Sequence, residues 1–249
     1  MIVWYILFGL TGLAFGSFGN VLLHRIKTGE SIRGRSHCVH CRKTLQARDL
    51  IPLWSYLVLQ GKCRACHASI SARYPLVELG GFLTFLLGYW LHSSDPLLGF
   101  FTAFSLYFLF LIAVFDAEHK LIPDVLTILL ALSAGALTFF SESLVSGVLG
   151  ACIALVWFGG QWVVTRGRAI GTGDIFLGCA LGLLLGVQAT VSMIILSYIV
   201  GAFIVLIGIG IGQISRHQST IAFGPFMAIA GVLSLLGVGE MYWRMVFGG

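Results

Sequence analysis

Runs of about twenty apolar residues, separated by short polar links, recur along almost the whole chain. A helix that spans a bilayer needs roughly that length. Of 249 residues, 58% are hydrophobic and 10% are charged, against about 25% charged in a soluble domain. So few charges cannot face water over a surface of this size. The runs are continuous, whereas the strands of a membrane barrel alternate apolar and polar residues. The expected fold is therefore an all-α polytopic membrane protein with about eight transmembrane helices, at roughly 2–23, 74–93, 96–115, 121–141, 145–164, 174–188, 190–212 and 223–243. The link between the sixth and seventh, "LGVQATVS", is the least punctuated. The first run has no basic residue ahead of its apolar core and no small-residue cleavage site, so it reads as an anchor rather than a signal peptide. With 32 glycines, such helices can pack closely.

Charge sets the expected orientation. Ten of the fifteen Lys and Arg residues lie between Arg25 and Arg73, and Lys120, Arg166, Arg168 and Arg216 fall in alternate later links. Only Arg244 lies on the other side. The positive-inside rule makes the basic links cytoplasmic and both termini external. Contact with anionic lipid accounts for the net charge of +5, and no nucleic-acid partner is expected. Polarity divides the chain into a first helix (1–23), a polar loop (24–73) and a seven-helix membrane region (74–249).

The polar loop carries "SHCVHCRKTLQARDLIPLWSYLVLQGKCRACHASISARYP". Its two Cys-x-x-Cys pairs, Cys38/Cys41 and Cys63/Cys66, stand 21 residues apart. Four thiolates suit tetrahedral zinc, and a two-residue gap lets one turn offer two sulfurs. A cytoplasmic loop disfavours disulfides. Four cysteines leave no open coordination position, so the expected zinc is structural. His37, His40 and His67 flank the pairs and are read as bystanders. Cys152 and Cys179 lie inside apolar runs and read as fillers.

Only ten acids are present. Glu30 and Asp49 belong to the polar loop, and Asp95, Glu142 and Glu240 to the outer face. Glu78, Asp116, Glu118, Asp124 and Asp174 lie near the cytoplasmic ends of the expected spans; no role is assigned to Glu78. Asp116 closes the third span and Asp174 opens the sixth, so the topology puts both at one depth on one side, 58 positions apart in sequence. Acids within spans face the bundle rather than lipid. If the two meet, the pair holds one proton over a useful pH range. One carboxylate then takes a proton from water while the other donates to a carbonyl oxygen, which is the chemistry of peptide hydrolysis. Gly171 and Gly173, lacking Cβ atoms, let an extended substrate backbone approach Asp174. The same acids also suit a proton- or ion-coupled transporter, and Asp174 alone suits a helix N-cap. A non-catalytic assembly factor, with the loop as docking module, is a third possibility.

"FDAEHKLIPD" and "GTGDIFLGCALG" resemble the two aspartate motifs of the type IV prepilin leader peptidases, membrane aspartyl proteases of the GxGD class. "AFGSFGNVLLHRI", "RDLIPLWSYLVLQGKCRAC", "ISARYPLVELGGFL" and "IAFGPFMAIAG" resemble further segments of that family, in order, from about residue 14 to 231. The resemblance implies cleavage of basic leaders from type IV prepilins, or from pseudopilins of type II secretion, after a glycine at the cytoplasmic face of the bacterial inner membrane. It also implies N-methylation of the new terminus with S-adenosylmethionine, and assigns the 24–73 loop to that methyltransferase part. Carried over residue by residue, the catalytic pair is Asp116 and Asp174, with Gly171 and Gly173 in support and Asp124 structural. The first knuckle lacks the proline common after its first cysteine, and Phe176 stands where the family commonly has lysine. No glycine-rich nucleotide loop marks an S-adenosylmethionine site, so its residues are unassigned.

Overall fold

The computed structural model describes residues 1–31, 34–212 and 221–238. Among them all regular secondary structure is helical, apart from two isolated antiparallel bridges in the cysteine loop, His37 with Thr44 and Lys62 with Ser69. The expectations for Arg216, Glu240 and Arg244, and for the end of the last apolar run, lie outside the described residues.

The first helix, α1 (Ile2–Thr28), runs five residues beyond its expected end. Its apolar pattern continues through Val21, Leu22, Leu23 and Ile26, and it stops only at Gly29, whose φ of 68° turns the chain out of the helix. His24 and Arg25 are therefore helical rather than part of the loop. The loop holds a single 3₁₀ turn (Ala47–Leu50) and the short α2 (Trp54–Val58). Then follow α3 (Arg73–Leu91), α4 (Pro96–His119), α5 (Asp124–Phe140), α6 (Leu144–Thr165), α7 (Thr172–Gly210) and α8 (Gly224–Leu235). Five of these, α1, α3, α4, α6 and α7, are long and apolar enough to cross a membrane, and α5 and α8 are shorter apolar helices.

The chain forms two compact units, Met1–Ala103 and Phe104–Gly249. In the first, α1 and α3 approach until their backbones touch. A Cβ at Gly12 would lie 2.6 Å from the Gly81 carbonyl oxygen, and one at Gly16 would lie 2.7 Å from the Glu78 Cα. In lipid, where apolar burial gives helices little reason to associate, such close small-residue contact supplies van der Waals attraction. The rings of Phe15 and Phe85 stack beside this seam, at 5.7 Å between centroids.

In the second unit, α7 does not run straight. Gly186 has φ 72° and ψ −177°, and the helix breaks there. Gly178, before the break, lies against Phe158 of α6. Tyr198, after it, donates a hydrogen bond to Gln161, also of α6, at 2.9 Å. Both Phe158 and Tyr198 contact the ring of Phe223. On a straight helix residues 178 and 198 would stand about 30 Å apart, so the chain doubles back at Gly186. The boundary expected at 188–190 falls here. Apolar surroundings demand that backbone groups freed by a break find partners, and the Val187 N–H donates to the Ser146 hydroxyl at 3.2 Å.

Candidate active site and cysteine cluster

Asp116 sits in the last turn of α4 and is 3% exposed. Its Oδ2 accepts the backbone N–H of Gly224, the first residue of α8, at 2.8 Å. The first N–H groups of a helix have no partner within it and carry partial positive charge, which makes them natural holders of an anion. A Cβ at Gly224 would lie 2.8 Å from that same oxygen, so only glycine admits the carboxyl so close to the main chain. Gly224 lies in the segment "IAFGPFMAIAG". Its sole local signal is the Gly-Pro pair that opens a helix.

Asp174 lies in the first turn of α7 and is partly exposed. Its Oδ2 accepts the Gly171 N–H at 3.0 Å. Asp174 is therefore not the N-cap it was expected to be: Gly171 holds that position, and Asp174, three residues on, accepts its N–H from inside the first turn. Gly173 seats that terminus against the α4–α5 link: a Cβ there would come within 2.9 Å of Ile122 Cβ. Asp174 lies within reach of the Asp116 charge. Both are fixed by main-chain donors rather than by each other, and the second oxygen of each carboxyl lies outside those two bonds. The neighbouring acids stand apart: Asp124 is exposed at the start of α5, and Glu118 is exposed 3.8 Å from His119. The His119 ring stacks on Phe115 at 4.5 Å.

The four cysteines expected to bind metal converge. The Sγ atoms of Cys38, Cys41, Cys63 and Cys66 all lie within 4.8 Å of one another, and Cys38 and Cys66 stand 3.9 Å apart. Sulfurs at 2.3 Å from a tetrahedral zinc would be separated by about 3.8 Å. The two knuckles repeat one backbone pattern. Arg42 N–H closes on Cys38 O, and His67 N–H on Cys63 O, each at 2.9 Å. Arg42 and His67 both take positive φ, 58° and 56°. The Cys66 and Ala65 N–H groups point at the Cys63 sulfur and bring its thiol down to about 7. At Cys66 the Ala68 N–H is outweighed by desolvation and the neighbouring sulfurs, which push that thiol up to about 11, so Cys63 is the first of the two to give up its proton. His37, His40 and His67 are not part of the group of four. The loop is braced by Arg64, which pairs with Asp49 at 2.7 Å.

The chain was compared with known proteins. Residues 10–92 match the Bacterial Peptidase A24 N-terminal domain, and residues 103–206 match the Type IV leader peptidase family. The "Type 4 prepilin-like proteins leader peptide-processing enzyme" of Escherichia coli O78:H11 is 35% identical, over 90% of this chain and 90% of its own. This chain belongs to the type IV leader peptidase family. Two further relatives carry the name "Prepilin leader peptidase/N-methyltransferase". That of Pectobacterium carotovorum is 31% identical over 94% of this chain and 93% of its own, and that of Aeromonas hydrophila 41% identical over 81% and 71%. No solved structure matches. The four cysteines fall within the stretch matched by the N-terminal-domain model, and Asp116 and Asp174 within the stretch matched by the leader peptidase model.

Proposed function

We propose that this protein is a bifunctional membrane enzyme of the bacterial inner membrane. It cleaves the leaders of type IV prepilins, or of type II secretion pseudopilins, after a glycine at the cytoplasmic face. It then N-methylates the exposed amino terminus. The observation that supports the peptidase reading is that Asp174, at the start of α7, lies within reach of the charge of Asp116, at the end of α4, with each acid held by a backbone N–H. Carboxyls within reach of each other's charge do not readily both ionise. The ionised one takes a proton from water, whose oxygen attacks the scissile carbonyl carbon, and the protonated one donates to the carbonyl oxygen. Collapse of the tetrahedral species breaks the C–N bond, and a carboxyl proton goes to the departing amine. Gly171, with no Cβ, leaves room for an extended backbone beside Asp174, while the space at Gly173 is taken by Ile122.

The cysteine cluster supports structural zinc: four sulfurs close the coordination shell and leave no position for a reacting water. The methyl group would come from S-adenosylmethionine, in keeping with the relatives' names. The deciding experiment incubates the purified protein with a synthetic prepilin, with and without S-adenosylmethionine, and weighs the products. Loss of the leader mass, followed by a gain of one methyl group only when the donor is present, is the expected result. An uncut prepilin would overturn the peptidase reading. A cut but unmodified product would overturn the methyl-transfer reading alone.

A further inference from the structure

The first unit encloses a cavity of about 470 Å³ between the C-terminal half of α1, the cysteine loop and the N-terminal end of α3. Cavities of roughly 300–1,000 Å³ take up a small molecule nearly whole. The walls are mostly apolar, with Val21, Tyr56, Leu59 and Tyr74 among them. All of its lining residues lie inside the stretch matched by the N-terminal-domain model, which contains neither Asp116 nor Asp174.

One polar atom on this wall has no partner in the fold, and a neighbouring carboxylate has acceptor sites to spare. Asn20 is 4% exposed. Its Nδ2 donates to the Tyr74 carbonyl at 2.9 Å, while its Oδ1 is buried with no hydrogen-bond partner. A buried acceptor left unmatched costs about 1–3 kcal/mol, so its presence beside a cavity points to a donor that arrives from outside. Glu78 lines the same cavity and brings a carboxylate into it. It accepts the Leu53 N–H at 2.7 Å and a hydrogen bond from Ser17. The Leu53 bond fixes it on a backbone turn with φ of 59°, yet a carboxylate has acceptor sites for more than these two donors.

The lining carries acids (Glu30, Asp49, Glu78) and bases (Arg25, Lys43, Arg64) together with tyrosines, which suits a flat, partly apolar ligand bearing charges of both signs. S-adenosylmethionine is one: a nucleoside that carries a sulfonium, an ammonium and a carboxylate. We infer that this cavity is the S-adenosylmethionine site, with Asn20 Oδ1 and Glu78 as its polar anchors. The inference rests on the methyl-transfer reading above and adds the place and the residues. Transfer to the pilin amine forms a C–N bond and breaks the C–S bond, whose electron pair returns to sulfur while the amine releases a proton. The product is a neutral thioether, so anchors that read the cation hold the donor more tightly than the product.

The test is calorimetric titration of the full-length protein, in lipid nanodiscs, with S-adenosylmethionine and separately with S-adenosylhomocysteine. Asn20→Leu is expected to weaken donor binding by roughly ten- to a hundredfold, the range for one hydrogen bond to a charged group. Glu78→Gln, which keeps an acceptor for Leu53, should weaken the donor more than the product. Val21→Trp, which fills part of the cavity and leaves both anchor residues in the chain, should weaken both alike. Melting temperature and elution volume report folding; if Asn20→Leu misfolds, the other two variants decide. Wild-type donor affinity in the folded variants would overturn the site and leave methyl transfer standing. A wild-type protein that neither binds the donor nor methylates a cut pilin would overturn the methyl-transfer reading itself.

Discussion

The two units assemble their chemistry from different materials. In the first, side chains do the gathering: four cysteine sulfurs close on one point, and a loop wraps a cavity against two helices. In the second, the ends of helices do it. Asp116 and Asp174 come from α4 and α7, and the groups that fix them are the main-chain N–H donors of Gly224 and Gly171. A site of the first kind depends on a ligand to tie its loop. A site of the second kind depends on how closely helices approach, and so on residues with no side chain at all.

If that contrast is right, the two activities respond to different substitutions. The largest effect on leader cleavage belongs to Asp116→Asn and Asp174→Asn. Each should lower the rate of cleavage of a synthetic prepilin by roughly 10²- to 10⁴-fold, the usual worth of a general acid or base, with donor binding unchanged. Either variant cutting at the wild-type rate removes that residue from the pair. Gly224→Ala comes next. The added methyl must push the Asp116 carboxyl away from its N–H, an overpacking cost of about 1–3 kcal/mol, and cleavage should fall about tenfold or more. An unimpaired alanine variant would mean that the N–H anchor is dispensable.

The Cys38→Ser and Cys63→Ser variants break the comparison from the other side. Metal analysis should find the bound ion lost and methylation impaired, while cleavage is little changed because the acids belong to the other unit. Cleavage that collapses with the metal would show the units to be interdependent. The smallest effect concerns the loop brace. Burial pushes the Asp49 carboxyl up, but Arg64 and the Gln46 N–H outweigh it and hold it below the usual carboxylate range. A lowered pKa stabilises the fold above the unfolded value, near 3.9, and that contribution disappears as pH falls through the folded value. Asp49→Asn should therefore lower loop stability at pH 6 by at most about 1 kcal/mol, since Arg64 is 41% exposed. The difference from wild type should shrink as pH falls below about 3.9 and disappear once pH has passed below the folded value. An equal difference at pH 6 and below the folded value would mean that the charge is not what matters.

Much of this was legible in the sequence, for physical reasons. Length and apolarity dictate helices in a bilayer, so the runs at 2–23, 74–93, 96–115 and 145–164 emerge as α1, α3, α4 and α6 with modest shifts at their ends. The double Cys-x-x-Cys pattern is local chemistry with a fixed geometric need, and the four sulfurs do meet. What could not be read depends on distant contact. A boundary is expected within "LGVQATVS", but nothing there singles out Gly186 as the point of reversal, because glycine tolerates both a helix and a turn. The bond from Gly224 to Asp116 spans 108 positions, and its donor is a main-chain group that every residue but proline carries. Asn20 looked like one polar residue in an apolar helix. Its importance appears only once the loop and α3 have closed a cavity around it.

The main-chain anchoring of the two acids has a practical result for anyone mapping this enzyme by substitution. Replacing side chains one at a time with alanine cannot delete an amide hydrogen, so the supports of the carboxyls show themselves only where alanine adds bulk, as at Gly224. The ordinary side chains around Asp116 and Asp174 would say little about what holds them. Only changes that add bulk at 224 or 171, or a proline that removes the donor, would expose the scaffold holding them.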